Sequence, residues 1–254
     1  MNIPKIIHQI WIGSNKPPMM WINTWKVDYI NKYPDWEYKL WTEKEIDNLN
    51  LINRDLYNKE STLYGKADIL RYEILYIFGG IYIDADMVWV NKKNLNDLIQ
   101  KSSNTGIFAG ADPGSKIIAN SVIGCFKENP MMLKIINEIQ KKFHLRNSLD
   151  PAHIFGPFLI TEIAKSYKIT VFPSHYFYPI LWVGVTDIFL HTKIKLPQDS
   201  YMFQYGYSTS KLSQKVNDYV NTMQSGGKYQ NKYYYKYIKY KNKYLDLKFT
   251  QEGI

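Results

Sequence analysis

Two aspartates separated by a single alanine carry the most specific chemistry in the chain. In Tyr82-Ile83-Asp84-Ala85-Asp86 both carboxylates fall on one side of an extended backbone, because side chains alternate with period two. At a strand end, where open α/β sheets bind their ligands, such a pair offers hard oxygens to Mg²⁺ or Mn²⁺. A cation held there can bridge two phosphate oxygens and neutralise a diphosphate leaving group. Alone, Asp-x-Asp is a weak signal, and a solvated turn is its commoner source. A second pair stands upstream. Asp68 and Arg71, three residues apart, share a helix face. They form either an intrahelical ion pair, worth roughly a few tenths of a kcal/mol, or a grip on sugar hydroxyls and phosphate oxygens, which suit the planar guanidinium fork.

The elements that must position these groups can be read from hydrophobic spacing. Residues 4–11 read as a buried strand closed by Gly13 and Lys16-Pro17-Pro18. Residues 19–33 show helical spacing through Trp21, Trp25, Tyr29 and Tyr33 and stop at Pro34. Residues 36–41 alternate as a second strand, and Thr42 with Glu45 predicts a capping box for a short helix. Over residues 61–78, Leu63, Ala67, Leu70, Ile74 and Ile77 predict a helix with one core stripe. Gly79-Gly80 ends it, and Ile81-Tyr82-Ile83 forms the strand that delivers the aspartates. Further strands are predicted near 106–111, 117–124 and 169–172, and helices near 131–143 and 157–168. Strands alternating with helices predict an α/β fold with a mostly parallel central sheet. Residues 174–210 receive no assignment.

Composition narrows the class. The 254 residues are 45% hydrophobic and 22% charged, ordinary for a globular chain and enough to build a core without disulfide or metal staples. No apolar run reaches the roughly 18–20 residues that cross a bilayer, and the opening residues lack the pattern of a secretory signal. The single cysteine, Cys125, forms no internal disulfide, which predicts an intracellular, reducing location. His144, His153, His175 and His191 lack metal-ligand spacing, so a zinc site is not expected. The net charge of +9 is concentrated in a tail. Residues 228–248 hold seven lysines, seven tyrosines and one aspartate, leaving the body close to neutral. The division is therefore 1–224 as the globular domain and 225–254 as a Lys/Tyr-rich extension behind Ser225-Gly226-Gly227.

The runs Ile3-Pro4-Lys5-Ile6-Ile7-His8-Gln9-Ile10-Trp11-Ile12-Gly13, Ala67-Asp68-Ile69-Leu70-Arg71-Tyr72 and Gly79-Gly80-Ile81-Tyr82-Ile83-Asp84-Ala85-Asp86 resemble glycosyltransferase family 32, the Asp-x-Asp sugar-binding glycosyltransferases. That group includes yeast outer-chain mannosyltransferases and bacterial capsule enzymes, and it is distantly similar to clostridial glucosylating toxins. The resemblance spans roughly residues 3–210 and is strong over 3–13 and 66–90. It implies the Rossmann-like GT-A fold, a UDP- or GDP-linked nucleotide-diphospho-sugar donor, Mn²⁺ or Mg²⁺, and a glycan or other hydroxyl acceptor. It further implies transfer with retention of anomeric configuration. It assigns Trp11 to the nucleobase, Asp68 and Arg71 to the donor sugar, and Tyr82 to a place beside the nucleotide. Asp84 would contact ribose or sugar and help hold the metal, and Asp86 would bind the metal directly. From the residues alone, Trp11 is also explained as a core aromatic, and His8 and Gln9 as strand-end hydrogen-bonders.

The family usually places a His-containing segment ending in Ser-Trp near the end of its catalytic domain. The nearest match here is Gln204-Tyr205-Gly206-Tyr207-Ser208-Thr209-Ser210. Gln204 stands where a metal-binding His is often found, and the Trp is missing. A catalytically silent sugar-nucleotide or glycan-binding protein of the same fold is thus the competing reading. Asp112 and Asn120 are acceptor-side candidates, with a turn as the commoner explanation of Asp112.

In the tail, Tyr229, Tyr233, Tyr237, Tyr240, Tyr244 and Leu247 form one helical stripe beside Lys232, Lys236, Lys239 and Lys243. Such a helix could dock on the body or a second subunit, contact an anionic membrane surface, or meet single-stranded nucleic acid, the least favoured of the three. The Lys, Asn, Ile and Tyr bias fits an AT-rich genome such as that of a large DNA virus.

Overall fold

The computed structural model describes residues 2–180, 194–207 and 212–224. Eight strands are present among them: β1 (Ile6–Ile10), β2 (Glu37–Trp41), β3 (Gly80–Ile83), β4 (Met87–Trp89), β5 (Ile107–Ala111), β6 (Ile118–Cys125), β7 (Thr170–Phe172) and β8 (Met202–Gln204). Six form one sheet in the order β2-β1-β3-β6-β5-β7, and β4 with β8 forms a second, two-stranded sheet. β1 pairs in parallel with β2 and β3, and β5 with β7, while β6 is antiparallel to both of its neighbours. Five strands therefore share one direction and only β6 opposes them. The expected mostly parallel sheet is present.

Strand alternation divides the core into two layers. Ile81 and Ile83 face a layer with Trp25, Tyr29 and Leu98. Tyr82, between them, faces the opposite layer with Ile69, Leu70 and Ile74 of the Leu63–Phe78 helix. Period two thus turns every second residue of β3 toward that helix. The helix starts at Thr62, whose hydroxyl accepts the Gly65 N–H at 3.2 Å. It ends at Gly79, where φ is +66°, followed by Gly80 at +93°. A Cβ on Gly80 would sit 2.6 Å from the Ile6 carbonyl oxygen, so the tight entry into β3 requires glycine.

Two helices depart from their sequence patterns. The single stripe expected over 61–78 is too narrow. Leu63 is half exposed, while Ile69 to Leu75 are buried on all sides, because the helix lies between the sheet and the Pro130–Lys142 helix. The helix expected over 19–33 runs as Met19–Asn23, a π-helical stretch Thr24–Tyr29, and Ile30–Lys32. Aromatics spaced strictly by four would drift about 40° per step around an α-helix; the wider π turn lessens that drift, and Trp21, Trp25 and Tyr29 are all fully buried. The predicted capping box is present, with Glu45 accepting the Thr42 N–H at 3.0 Å.

Within the unassigned 174–210 stretch, β8 lies against β4, and the Ser213–Gln224 helix buries Val216 and Val220 over this small sheet. No helix among the described residues is long and apolar enough to cross a membrane. Cys125 is buried. Residues 208–211 and the 225–254 extension, with the readings made of them above, lie outside the described residues.

Candidate functional site

Topology brings the candidate residues to one edge. From β1 the chain goes to β2 on one side, then returns past β1 to β3 on the other, which opens a crevice at the strand carboxyl ends. His8 of β1 is level with Tyr82 of β3, so Trp11 and Asp84 emerge from neighbouring parallel strands. β6 runs the opposite way and contributes its beginning: the Asp84 N–H donates to the Ser121 carbonyl at 2.9 Å. Buried Gln9 donates its amide N–H to the Asp84 carbonyl at 3.1 Å and accepts the Tyr38 hydroxyl at 2.8 Å. The strand-end reading of Gln9 holds, and it fixes the backbone of the motif.

Asp84 follows Tyr82 by two residues and so turns toward the Leu63–Phe78 helix, where it meets Asp68 and Arg71. Arg71 Nη2 lies 2.7 Å from Asp68 Oδ1, and Nη1 lies 3.4 Å from Asp84 Oδ1 and donates to the Asn120 carbonyl at 2.6 Å. The guanidinium also covers the Tyr82 ring at 4.6 Å, and the Tyr82 hydroxyl donates to Asp84 Oδ1 at 2.6 Å. Asn120 Nδ2 donates to Asp68 Oδ1 at 2.9 Å, so Asn120 steadies Asp68. The Asp68–Arg71 pair is an ion pair within the helix and also a component of the cluster. Asp112 sits in a turn and accepts the Ser115 hydroxyl at 2.8 Å.

The second sheet closes over Asp86. The Tyr207 N–H donates to Asp86 Oδ2 at 2.7 Å, and the Tyr205 N–H donates to the Asp86 carbonyl at 3.1 Å. Gln204, level with Met87 in the β4–β8 ladder, directs its amide at both carboxylates, with Nε2 at 3.4 Å from Asp84 Oδ2 and 3.4 Å from Asp86 Oδ1. Each aspartate has one oxygen tied to protein donors and turns the other toward that shared point. Trp11 stands at the rim, its indole N–H donating to the Asn15 carbonyl at 2.7 Å and its ring meeting the edge of Tyr207 at 5.2 Å.

Two carboxylates, Asp68 and Asp84, flank the Arg71 guanidinium, and Asp86 stands beside Asp84 in the same poorly solvated place. Burial pushes the Asp68 carboxyl up to about 6, against the pull of Arg71. Burial, reinforced by the charge of Asp84, pushes Asp86 up to about 6. Asp84 is raised by burial as well. Such groups ionise at neutral pH at a cost that a bound cation relieves. Among the described residues no three His, Cys, Asp or Glu side chains converge as a metal cluster. The donor set that fits a cation is Asp84 Oδ2, Asp86 Oδ1 and the Gln204 amide turned to present its oxygen. These are hard ligands for Mg²⁺ or Mn²⁺, which leave positions for phosphate oxygens and water.

Residues 19–104, which include Asp68, Arg71, Asp84 and Asp86, match the family model described as the glycosyltransferase sugar-binding region containing the DXD motif. Over that stretch the chain is similar to a glycosyltransferase sugar-binding region. Inositol phosphoceramide mannosyltransferase 3 of Schizosaccharomyces pombe is 28% identical over 200 residues, covering 74% of this chain and 51% of that protein. An uncharacterized glycosyltransferase, L373, of Acanthamoeba polyphaga mimivirus is 32% identical over 133 residues, covering 50% of this chain and 51% of that protein. The chain spans about half the length of these curated relatives. The solved PaToxG glycosyltransferase superposes with a TM-score of 0.50 at 20% identity, covering 65% of this chain and 70% of that one. The fold is the GT-A glycosyltransferase fold, and the expected family resemblance stands.

The fold brings Trp11, Asp68, Arg71, Tyr82, Asp84, Asp86 and Gln204, all singled out in the sequence, to one edge of the sheet, but sequence reasoning did not foresee every partner. It missed Asn120 as the partner of Asp68 and Tyr207 as the backbone donor to Asp86. Neither has a spacing signal, since both reach the site across more than 50 residues of chain.

Proposed function

We propose that the chain is a metal-assisted retaining glycosyltransferase, moving a hexose from a nucleotide-diphospho-sugar to a hydroxyl acceptor. The observation that carries this reading is the pair of carboxylate oxygens, Asp84 Oδ2 and Asp86 Oδ1, turned to one point beside Asp68 and Arg71. A bound Mn²⁺ or Mg²⁺ supplies charge neutralisation of the diphosphate. Asp84 and Asp86 would hold that cation, and Arg71 stands where its remaining donor capacity meets sugar or phosphate oxygens. Asp68 accepts from sugar hydroxyls, and Trp11 offers its ring to the base. The bond from the anomeric carbon to the phosphate oxygen breaks as the acceptor oxygen bonds to the same carbon. The acceptor proton passes to the departing phosphate oxygen, so no protein base is assigned. Preorganised charges act here in place of water. The names of the relatives make mannose the first donor sugar to test and a hydroxylated lipid headgroup the first acceptor.

The test is donor hydrolysis and transfer with UDP- and GDP-sugars, with and without Mn²⁺, in the wild type and Asp86→Asn. Loss of turnover in a folded variant supports the reading, and unchanged turnover refutes it. Gln204 at the place of the usual His motivates a second reading, donor binding without transfer. Calorimetric donor binding without turnover on any of a broad panel of acceptors would select it.

A further inference from the structure

On the other side of the short strand that leaves the motif, a cleft of about 810 Å³ is lined by Asp28, Asn31 and Lys32 of the first helix, by Trp89 to Lys92, and by Ile194 to Leu196 with Gln198. Three lysines and one aspartate leave it positive by two charges. Lys32, Lys92 and Lys195 make no ion pair among the described residues. Surface lysines usually extend into water; here three converge on one concavity of a size that takes a small ligand.

The turn that brings Lys92 there is held in an unfavourable conformation. Asn91 and Lys92 both have φ of +51°, a region that costs free energy for residues with a Cβ, and more for Lys than for Asn. Surrounding bonds enforce it. Asn91 Nδ2 donates to the carbonyls of Pro197 at 2.6 Å and Ser200 at 3.1 Å. The Tyr33 hydroxyl donates to the Lys92 carbonyl at 3.0 Å, and the Trp89 indole N–H donates to the Lys93 carbonyl at 2.8 Å. Backbone strain that its surroundings over-determine is concentrated at ligand sites. The Trp89 ring is braced by Tyr29 at 5.2 Å and Tyr33 at 6.2 Å, and it presents a rigid wall against which a sugar or cyclitol ring can lie. Asn31, Gln198 and Asp28 supply amides and a carboxylate suited to hydroxyl groups.

We infer that this cleft is a second ligand site, which holds a phosphate-bearing, polyhydroxylated headgroup. Its binding needs neither donor nor cation.

The test uses the full chain without donor or Mn²⁺. Calorimetry with myo-inositol 1-phosphate is compared with neutral myo-inositol and with inorganic phosphate. The triple variant Lys32→Gln, Lys92→Asn, Lys195→Gln removes the charge and keeps at 92 a residue that tolerates positive φ. The single variants serve if the triple variant does not fold. The expected result is binding of the phosphorylated cyclitol that is at least tenfold tighter than either fragment and at least tenfold weaker in the variant. Sedimentation with phosphatidylcholine vesicles containing phosphatidylinositol identifies the source. Lysine-dependent pelleting that the free headgroup competes away assigns a lipid-borne ligand. Lysine-dependent binding of the free compound without pelleting assigns a soluble one. Absence of binding, or equal binding by wild type and variants, overturns the inference. Mn²⁺-dependent donor hydrolysis, measured in parallel, is expected to survive in the lysine variants and vanish in Asp86→Asn. Should Asp86→Asn retain it, the transferase reading fails while the binding result stands.

Discussion

Asp86→Asn separates function from stability in a direction opposite to that of most buried substitutions. In the folded chain the Asp86 carboxyl titrates near 6, against an ordinary value of 3.8. Between those values the folded state holds more protons than the unfolded one, so the contribution of Asp86 to stability falls as pH rises from about 4 to about 6 and is level above that. A shift of about two units corresponds to roughly 3 kcal/mol of cost at pH 7.5. This is an upper bound, because the uncharged amide accepts the Tyr207 N–H more weakly than the carboxylate does. The expected net gain for Asp86→Asn in EDTA at pH 7.5 is about 1–3 kcal/mol. For a chain of this size that corresponds to roughly 2–10 °C in Tm. The assay is thermal unfolding of both proteins across pH 4 to 8, in EDTA and in Mn²⁺. The difference between them in EDTA should be near zero at pH 4 and full above pH 6. Added Mn²⁺ should raise the Tm of the wild type and leave the variant unmoved. A variant that is less stable than the wild type by the same margin at every pH would refute the electrostatic account of the site.

Three other perturbations probe the same cluster. Arg71→Met leaves Asp68 and Asp84 without their counter-charge, and a loss of about 3–5 kcal/mol is expected from urea unfolding at pH 7.5. That loss should shrink at pH 5, where the raised carboxyls take up protons; an equal loss at both pH values would contradict it. Gln204→His places an imidazole where the amide now faces both carboxylates, and Mn²⁺ titration should show at least several-fold tighter binding, weakening as pH falls below about 6.5. Gln9→Leu strands the Tyr38 hydroxyl and the Asp84 carbonyl, at a cost of about 1–3 kcal/mol. Because it also loosens the backbone of the motif, donor KM should rise, whereas a stability loss with unchanged KM would make Gln9 purely structural.

Local signals made much of the fold and part of the site legible. Alternation marked β2, short apolar runs marked β1 and β3, the glycine pair marked the end of the Leu63–Phe78 helix, and the one-residue spacing of Asp84 and Asp86 marked a shared side, because each follows from sequence within a few residues. Helical spacing likewise put Asp68 and Arg71 on one face. The same signals gave too narrow a stripe for that helix and no place for β8. The first error arose because burial on every side comes from a neighbouring helix some 60 residues on. The second arose because a three-residue strand has too little pattern to read.

What only the tertiary structure decided is which oxygens remain available and what charge they bear. Tyr207 reaches Asp86, Gln204 reaches both carboxylates, and Asn120 reaches Asp68, each across a separation at which composition and period carry no information. The raised carboxyl values of Asp68 and Asp86 have the same origin, since desolvation is a property of everything packed around a group. Sequence therefore determined the residue types and the sides on which they project, and packing determined their protonation, their partners and the point on which they converge.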